Sequence, residues 1–321
     1  MPIPAIGRRN GISFGTIKTV DLKTRTDPNR SLVIGGSGLV GGYIVEHLVR
    51  RGQRPLAMSR SRQGRSDADW VRGDMRMPDE LDLPPFATLY CTADATLLAN
   101  ALPVLLKPSL TRVVVFSSTS VITKQDTEIA AERETIGRLA EAEEKIATIC
   151  ERCNVGWTIL RPTMIYAEGR DTNITPLSRL IRRFGFMPLV GGGLGLRQPV
   201  HAEDLAIGAI NAAISPAAAN KFYALPGADT LTYREMIGRI FDALRLPRRT
   251  VSVSPLVWRA AFVAVKPLFP GANVAMGIRM MKDMAFDSSP AVRDIGWNPR
   301  AFNPVFETES APTRPAKPFN P

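Results

Sequence analysis

Ser31-Leu-Val-Ile-Gly-Gly-Ser-Gly-Leu-Val-Gly-Gly-Tyr-Ile-Val-Glu-His-Leu-Val-Arg-Arg-Gly52 reads as strand, glycine turn and helix in unbroken order. Leu32–Ile34 is a short apolar run of buried-strand type, and Leu39, Ile44, Val45, Leu48 and Val49 recur at helical intervals. Between them Gly35, Gly38 and Gly41 stand at G-x-x-G-x-x-G spacing. That spacing supplies a tight turn, a place where a pyrophosphate meets bare backbone, and close helix–strand packing, with amides at the helix N-terminus facing the phosphates. A glycine triplet alone is a weak signal; flanked by this strand and this helix it predicts a dinucleotide site.

Working outward, short apolar runs alternate with helical patterns, which predicts an α/β fold: a Rossmann-type, doubly wound parallel sheet. Strands are expected near Leu32–Ile34, Leu56–Met58, Trp70–Val71, Thr88–Cys91, Arg112–Phe116 and Thr158–Leu160, and helices at Leu39–Arg51, Ala95–Leu106 and Ala131–Cys153. Beyond Pro162 the rhythm breaks into loops and shorter helices, the pattern of a smaller C-terminal substrate lobe. The expected organisation is an N-terminal arm over 1–30 and a dinucleotide-binding domain over 31–165 that is completed by about 200–226. The substrate lobe takes 166–199 and 227–303, and a proline-rich tail 304–321.

The 321 residues suffice for one large α/β unit with a lobe, and the net charge of +11 favours anionic partners without choosing among them. Nucleic acid is disfavoured, because no basic and aromatic interleaving of a known module is present. Arg8, Arg9 and Lys18 precede the first acid, Asp21, in an arm without the apolar core of a secretory signal; an organelle presequence is the alternative to a simple arm. The expected location is the cytoplasm, with membrane periphery as the alternative. Leu256–Met281 is apolar but broken by Arg259, Lys266, Pro267, Pro270 and Arg279, so it reads as helices packed on the lobe, with a membrane-surface face as the competing reading. Cys150 and Cys153 form a C-x-x-C, yet with only Cys91 and two histidines besides there are too few ligands for a zinc site, and no metal is expected.

The second strand ends Ser59-Arg60-Ser61-Arg62. An acid at that place would take both ribose hydroxyls of NAD; a serine followed by arginine offers a donor and a cation to a 2′-phosphate, so NADP(H) is expected over NAD. The alternative is that Arg60, Arg62 and Arg65 form a solvated loop. Asp74, after Gly73, is expected to accept from the adenine amino group or to cap a helix.

Together, the Gly35–Gly41 turn, Gly73-Asp74, Phe116-Ser-Ser-Thr119, Arg161-Pro-Thr-Met-Ile-Tyr166 and Gln198-Pro-Val-His-Ala-Glu-Asp-Leu-Ala206 resemble the extended and atypical short-chain dehydrogenase/reductases, the superfamily of nucleotide-sugar epimerases and dehydratases. The resemblance implies cofactor contacts from Gly35, Gly36, Ser37, Gly38, Leu39, Val40, Gly41, Ser59, Arg60, Asp74, Cys91, Thr92, Ala93, Ser117, Ser118 and Pro162. It implies that Thr119 polarises a substrate oxygen, and that a nucleotide-sugar or similar anion lies near Arg183, Arg197, Gln198 and His201. Family members move the proton with a Tyr and a Lys four residues later, because an ammonium brings the phenol down from its usual pKa of ~10. Here the corresponding Ile136-Gly-Arg-Leu-Ala140 has neither residue. Tyr166 is the candidate replacement acid/base, with a packed aromatic as the alternative; Glu141 and Lys145 read as a surface ion pair, and His201 and Asp204 as structural anchors. Arg179, Arg182 and Arg183 suit a diphosphate or a solvated helix face. The Arg-Pro-Thr and Arg-Gln-Pro-Val-His stretches also resemble the Rossmann-type accessory subunit of respiratory complex I. That similarity implies the alternative function: a catalytically silent NADP(H)-binding scaffold that meets a membrane complex through a basic face.

Overall fold

Alternation along each strand builds two apolar layers from one sheet. In β1 (Ser31–Ile34) Leu32 and Ile34 face one side and Val33 the other, and in β5 (Arg112–Phe116) Val113 and Val115 oppose Val114 and Phe116 in the same way. The computed structural model describes residues 27, 29–60, 67–123, 127, 129–265 and 274–306. From β1 the chain passes through α1 (Leu39–Arg50), β2 (Leu56–Ser59), β3 (Asp69–Arg72), β4 (Thr88–Cys91), α2 (Ala95–Leu105), β5 (Arg112–Phe116), α3 (Ser120–Thr123), α4 (Ala130–Arg152) and β6 (Gly156–Pro162). It continues with β7 (Ile165–Tyr166), α5 (Ile174–Phe184), β8 (Met187–Val190), β9 (Leu196–Arg197), β10 (Val200–His201), α6 (Ala202–Ile214) and β11 (Lys221–Leu225). β12 (Leu231–Thr232), α7 (Tyr233–Ala243), β13 (Thr250–Val253), α8 (Pro255–Val265), α9 (Val274–Arg279) and α10 (Ser289–Ile295) follow.

The main sheet has seven strands in the order β11-β6-β5-β4-β1-β2-β3, every neighbouring pair parallel. Chain order reverses between β1 and β4, which opens the crevice at the carboxyl ends of the strands where doubly wound sheets take ligands. The six strands and three helices expected from the sequence are all present, within a residue or two at their ends.

One core layer lies between the sheet and α2 and α4, with Leu56, Leu89, Leu98, Val113, Ile146 and Ile159 at its centre. The other lies between the sheet and α1 and α6, around Ile44, Leu48, Val114, Leu160, Leu205 and Ile210. A third cluster, with Ile174, Ile181, Leu189, Met236, Ile237 and Phe241, holds α5, α7 and the small β8–β13 pair together. Each fully buried aliphatic side chain contributes about 1.5–3 kcal/mol. α7 starts with a reciprocal cap, the Thr232 hydroxyl accepting from the Glu235 amide and the Glu235 carboxylate from the Thr232 amide. No described helix is long and apolar enough to cross a membrane.

Candidate functional site

Backbone geometry at the glycine turn decides what the crevice can hold. Gly35 has φ of +80°, and a Cβ there would meet the Thr92 hydroxyl at 2.6 Å. Gly41, inside the first turn of α1, faces the Gly35 carbonyl so closely that a Cβ would lie 2.2 Å from its oxygen. The Gly38 amide donates to the Gly35 carbonyl at 2.8 Å, and the Thr92 hydroxyl donates to the carbonyls of Ile34 and Gly35, tying the turn to the end of β4. α2, α6 and α7 each begin with a side-chain cap, on Asp94, His201 and Thr232. α1 begins at Gly38 with neither a side-chain cap nor an acid in its first turn. Its first amides are therefore left for an anion, and the helix dipole adds a favourable field.

From this turn a crevice runs along the strand ends as two neighbouring cavities. The first, of about 400 Å³, is lined by Val40, Thr92, Ala93, Asp94, Thr96, Ser117, Ser118, Thr135, Arg138 and Pro162. The second, of about 460 Å³, shares Ser117, Ser118, Pro162 and Ile165 with it and continues to Thr119, Asn173, Leu177, Arg197, Gln198, Tyr233, Arg279 and Phe286. On the other side of the turn, Gly36, Ser37, Gly38 and Leu39 border a groove of about 290 Å³ with Tyr43, Trp70 and Arg170. The Ser117 hydroxyl, at the junction of the two cavities, is buried without a hydrogen-bond partner. A bound group that lends it one would remove a desolvation cost of ~1–3 kcal/mol.

No family model matches the chain. The mitochondrial NADH dehydrogenase (ubiquinone) 1 alpha subcomplex subunit 9 of Arabidopsis thaliana is 41% identical over 91 residues, 27% of this chain and 22% of that protein. The matched stretch thus spans about a fifth of that relative's length. Among solved structures, MoeE5 in complex with UDP-glucuronic acid and NAD superposes with a TM-score of 0.65 at 18% identity, over 85% of this chain and 94% of that one. UDP-glucose 4-epimerase of Thermotoga maritima, solved with UDP-glucose, gives 0.62 at 13% identity over 84% and 94%. The fold is the one these solved structures share, a Rossmann-type doubly wound parallel sheet with a smaller C-terminal lobe. The resemblance read from the sequence is borne out at that level.

Several residues expected at the site do line the crevice. Val40, Thr92, Ala93, Ser117, Ser118 and Pro162 border the first cavity, Gly36 to Leu39 the groove beyond the turn, and Thr119, Arg197 and Gln198 the second cavity. The polar atoms of the last three are engaged in holding the chain. The Thr119 hydroxyl donates to the Pro162 carbonyl at 3.0 Å. Arg197 is buried and donates to the carbonyls of Leu196, Lys282 and Arg279, and the Gln198 side chain both donates to the Phe286 carbonyl and accepts from the Phe286 amide.

Ser59 ends β2 as a buried residue, and Arg60 follows it, exposed. Asp74 accepts from the Arg76 guanidinium and amide, and these bonds bring its carboxyl down to about 2. The arginine pairing therefore occupies the carboxylate expected to receive adenine. Ser61, Arg62 and Arg65 lie outside the described residues, as do the N-terminal arm, except for residues 27, 29 and 30, and the tail after 306.

Four expectations are corrected. Tyr166 does not reach the crevice: β7 alternates, so Ile165 faces the cavities while Tyr166 points the other way, 1% exposed, edge-on to His201 and Phe302. Burial, and next to it Glu168, raise its phenol, the opposite of what a base at neutral pH needs. His201, placed near substrate by the resemblance but read from its position as a structural anchor, is the anchor: it pairs with Tyr166 across β7–β10 and is the N-cap of α6, where its Nδ1 accepts from the Glu203 amide and its Nε2 lies toward Glu168. Cys91 turns its thiol into the core, where burial pushes it up to about 12, and only the following Thr92 and Ala93 enter the crevice. Arg183 lies on the outward side of α5, exposed and stacked over Phe184, because Ile174, Ser178 and Ile181 take the inward face. Lys145 also departs from the expected pairing with Glu141, donating to Asn100 on α2.

Sequence reasoning missed the opposite wall. Thr135 and Arg138 on α4, Asp94 and Thr96 at the start of α2, and Tyr233, Arg279 and Phe286 from the lobe all border the cavities. Asp94 caps α2 by accepting from the Thr96 amide, and Asp-x-Thr before an apolar run is a local signal of such a cap. Arg279 carries no local signal; it is placed by an ion pair to Glu132 on α4, remote in sequence.

Proposed function

We propose that this chain binds a nicotinamide dinucleotide across the β1–β4 crevice, with NADP(H) preferred, and holds it without the proton transfer that epimerases and dehydratases perform. The uncapped, acid-free first turn of α1 above a glycine cradle carries the proposal, because it is built to receive a diphosphate. MoeE5, of the same fold, is solved with NAD, which supports the same use here. Ser37, Leu39 and Val40 would meet the pyrophosphate through their amides, the Gly38 amide being held by the Gly35 carbonyl. Arg60, exposed at the end of β2, would meet a 2′-phosphate, and the unpartnered Ser117 hydroxyl would gain a partner. A bound nicotinamide supplies hydride transfer. On the protein side, α4 turns a buried Ile136 and an Ala140 where the superfamily carries its Tyr and Lys, and Tyr166 is shut in the core. Thr119 directs its proton to Pro162. Tyr233, the tyrosine that does border the second cavity, is pushed up to about 12 by burial.

A second reading keeps substrate in view. The second cavity lies beside the first, and a structure of the same fold is named with UDP-glucose, which supports a ligand of nucleotide-sugar type there; of the arginines at its border, Arg197 is held by carbonyls and Arg279 by Glu132. Mass spectrometry of ligands retained after native purification, followed by turnover assays with UDP-sugars, separates the two. Retained NADPH with no conversion supports the proposal. Conversion of a UDP-sugar supports the second reading, and folded protein that neither retains nor takes up a nicotinamide coenzyme overturns both.

A further inference from the structure

Large apolar side chains stand in solvent along one strand pair of the lobe. Phe184 and Phe186, 49% and 44% exposed, lead into β8; Val251 on β13 is 52% exposed; Leu256 and Val257, 78% and 58% exposed, open α8 directly after β13. Val251 is in register with Pro188, so the parallel pairing of β8 and β13 joins the five residues into one strip. Trp258, next along, packs against the lobe core, which fixes α8 while Leu256 and Val257 stay outward.

Charge along the same segments has one sign. From Thr172 to Ala202, and again from Ala243 to Lys282, the sequence contains no Asp or Glu. Exposed Arg183 stacks on Phe184, the Arg249 carbonyl accepts from the Met187 amide beside Phe186, and exposed Arg259 follows Trp258 on α8. Exposed aliphatic and aromatic side chains interspersed with arginines along these segments, Asp242 paired to Arg248 being the acid at their border, match the boundary of a bilayer, where apolar groups enter the acyl edge and cations meet phosphates. Nucleic acid would use the arginines but gains nothing from Leu256 and Val257. A second copy of the chain would bring arginine against arginine.

We propose that this strip is a docking face for an anionic lipid bilayer. The test is sedimentation of the full chain with vesicles of phosphatidylcholine alone and of phosphatidylcholine containing about one third phosphatidylserine, at about 0.15 M salt, where charge acts over ~8 Å. Retention on the anionic vesicles, weak on the neutral ones and reduced at least tenfold by L256E/V257E or by R183E/R249E, is the expected result. These positions are exposed, and circular dichroism together with NADPH uptake confirms that each variant is folded. Equal retention on both vesicles, or retention unchanged in both variants, overturns the proposal. So does absence of vesicle binding, whether or not the strip instead mediates self-association or DNA binding. NADPH uptake read in the same samples keeps this result separate from the coenzyme reading.

Discussion

At Gly41 a single methyl group would meet the Gly35 carbonyl at 2.2 Å, with backbone on one side and the Thr92 hydroxyl at 2.8 Å on the other. Neither neighbour is a flexible side-chain end, so Gly41→Ala is expected to force α1 away from the turn, lowering stability by about 1–3 kcal/mol and removing coenzyme uptake. Thermal unfolding and fluorescence titration with NADPH check both effects. Under the proposed NADP(H) preference, Arg60→Ala is expected to weaken NADPH about tenfold, or ~1.4 kcal/mol, while NADH is unchanged. Equal losses for both coenzymes would contradict its assignment to the 2′-phosphate. The glycines were legible because their spacing is local and each has a backbone reason to be there. Tyr166 was misread because nothing in Met164-Ile-Tyr166 says which of two alternating side chains faces the crevice; that is settled by the pairing of β7 with β10.

Between elements, β3 is tied to the segment entering β1 by Asp69, 8% exposed, which accepts from Arg30 at 2.5 Å and from Arg54 at 2.7 Å. Burial raises the Asp69 carboxyl, but hydrogen bonds from Arg54 and Arg30 outweigh it and hold the group below the ordinary aspartate value of 3.8. A depressed folded-state pKa gives stability that is present above the unfolded value and lost as pH falls through the folded one. Asp69→Asn is therefore expected to cost about 3 kcal/mol near neutral pH, since it leaves buried Arg30 without its carboxylate. It is also expected to flatten the fall of melting temperature below pH ~4. A melting curve series from pH 3 to 7 for both proteins tests this; parallel curves would contradict it. The strands and helices themselves were legible from period and apolar content. The ion pairs that fasten them were not, because Arg30 with Asp69, or Glu132 with Arg279, are partners only after folding.

Across the whole molecule, the doubly wound sheet brings the glycine turn, the end of β5 and the start of α2 to one crevice, and the lobe adds Arg197, Tyr233 and Arg279 from three separate segments. Of the first group, the glycine turn and the end of β5 carry local motifs and were readable, whereas Asp94 and Thr96 at the start of α2 were not picked out; the second depends on how the lobe folds back, and of it only Arg197 had been picked out, through the resemblance. The same architecture sets an expectation for chemistry: since no Tyr/Lys pair stands on α4, installing one by Ile136→Tyr with Ala140→Lys is expected to leave coenzyme affinity within about threefold of wild type, under ~0.7 kcal/mol, because neither residue is among those lining the cavities. Affinity lost in a folded double variant would show that α4 contributes more to the coenzyme than its cavity-lining Thr135 and Arg138. All of this rests on the diphosphate at α1, and isothermal titration of the purified chain with NADPH and NADH measures it most directly. One-to-one uptake of NADPH, tighter than NADH and absent in Gly41→Ala, is the result the account predicts; folded protein that gives no binding heat with either coenzyme at several temperatures would contradict it.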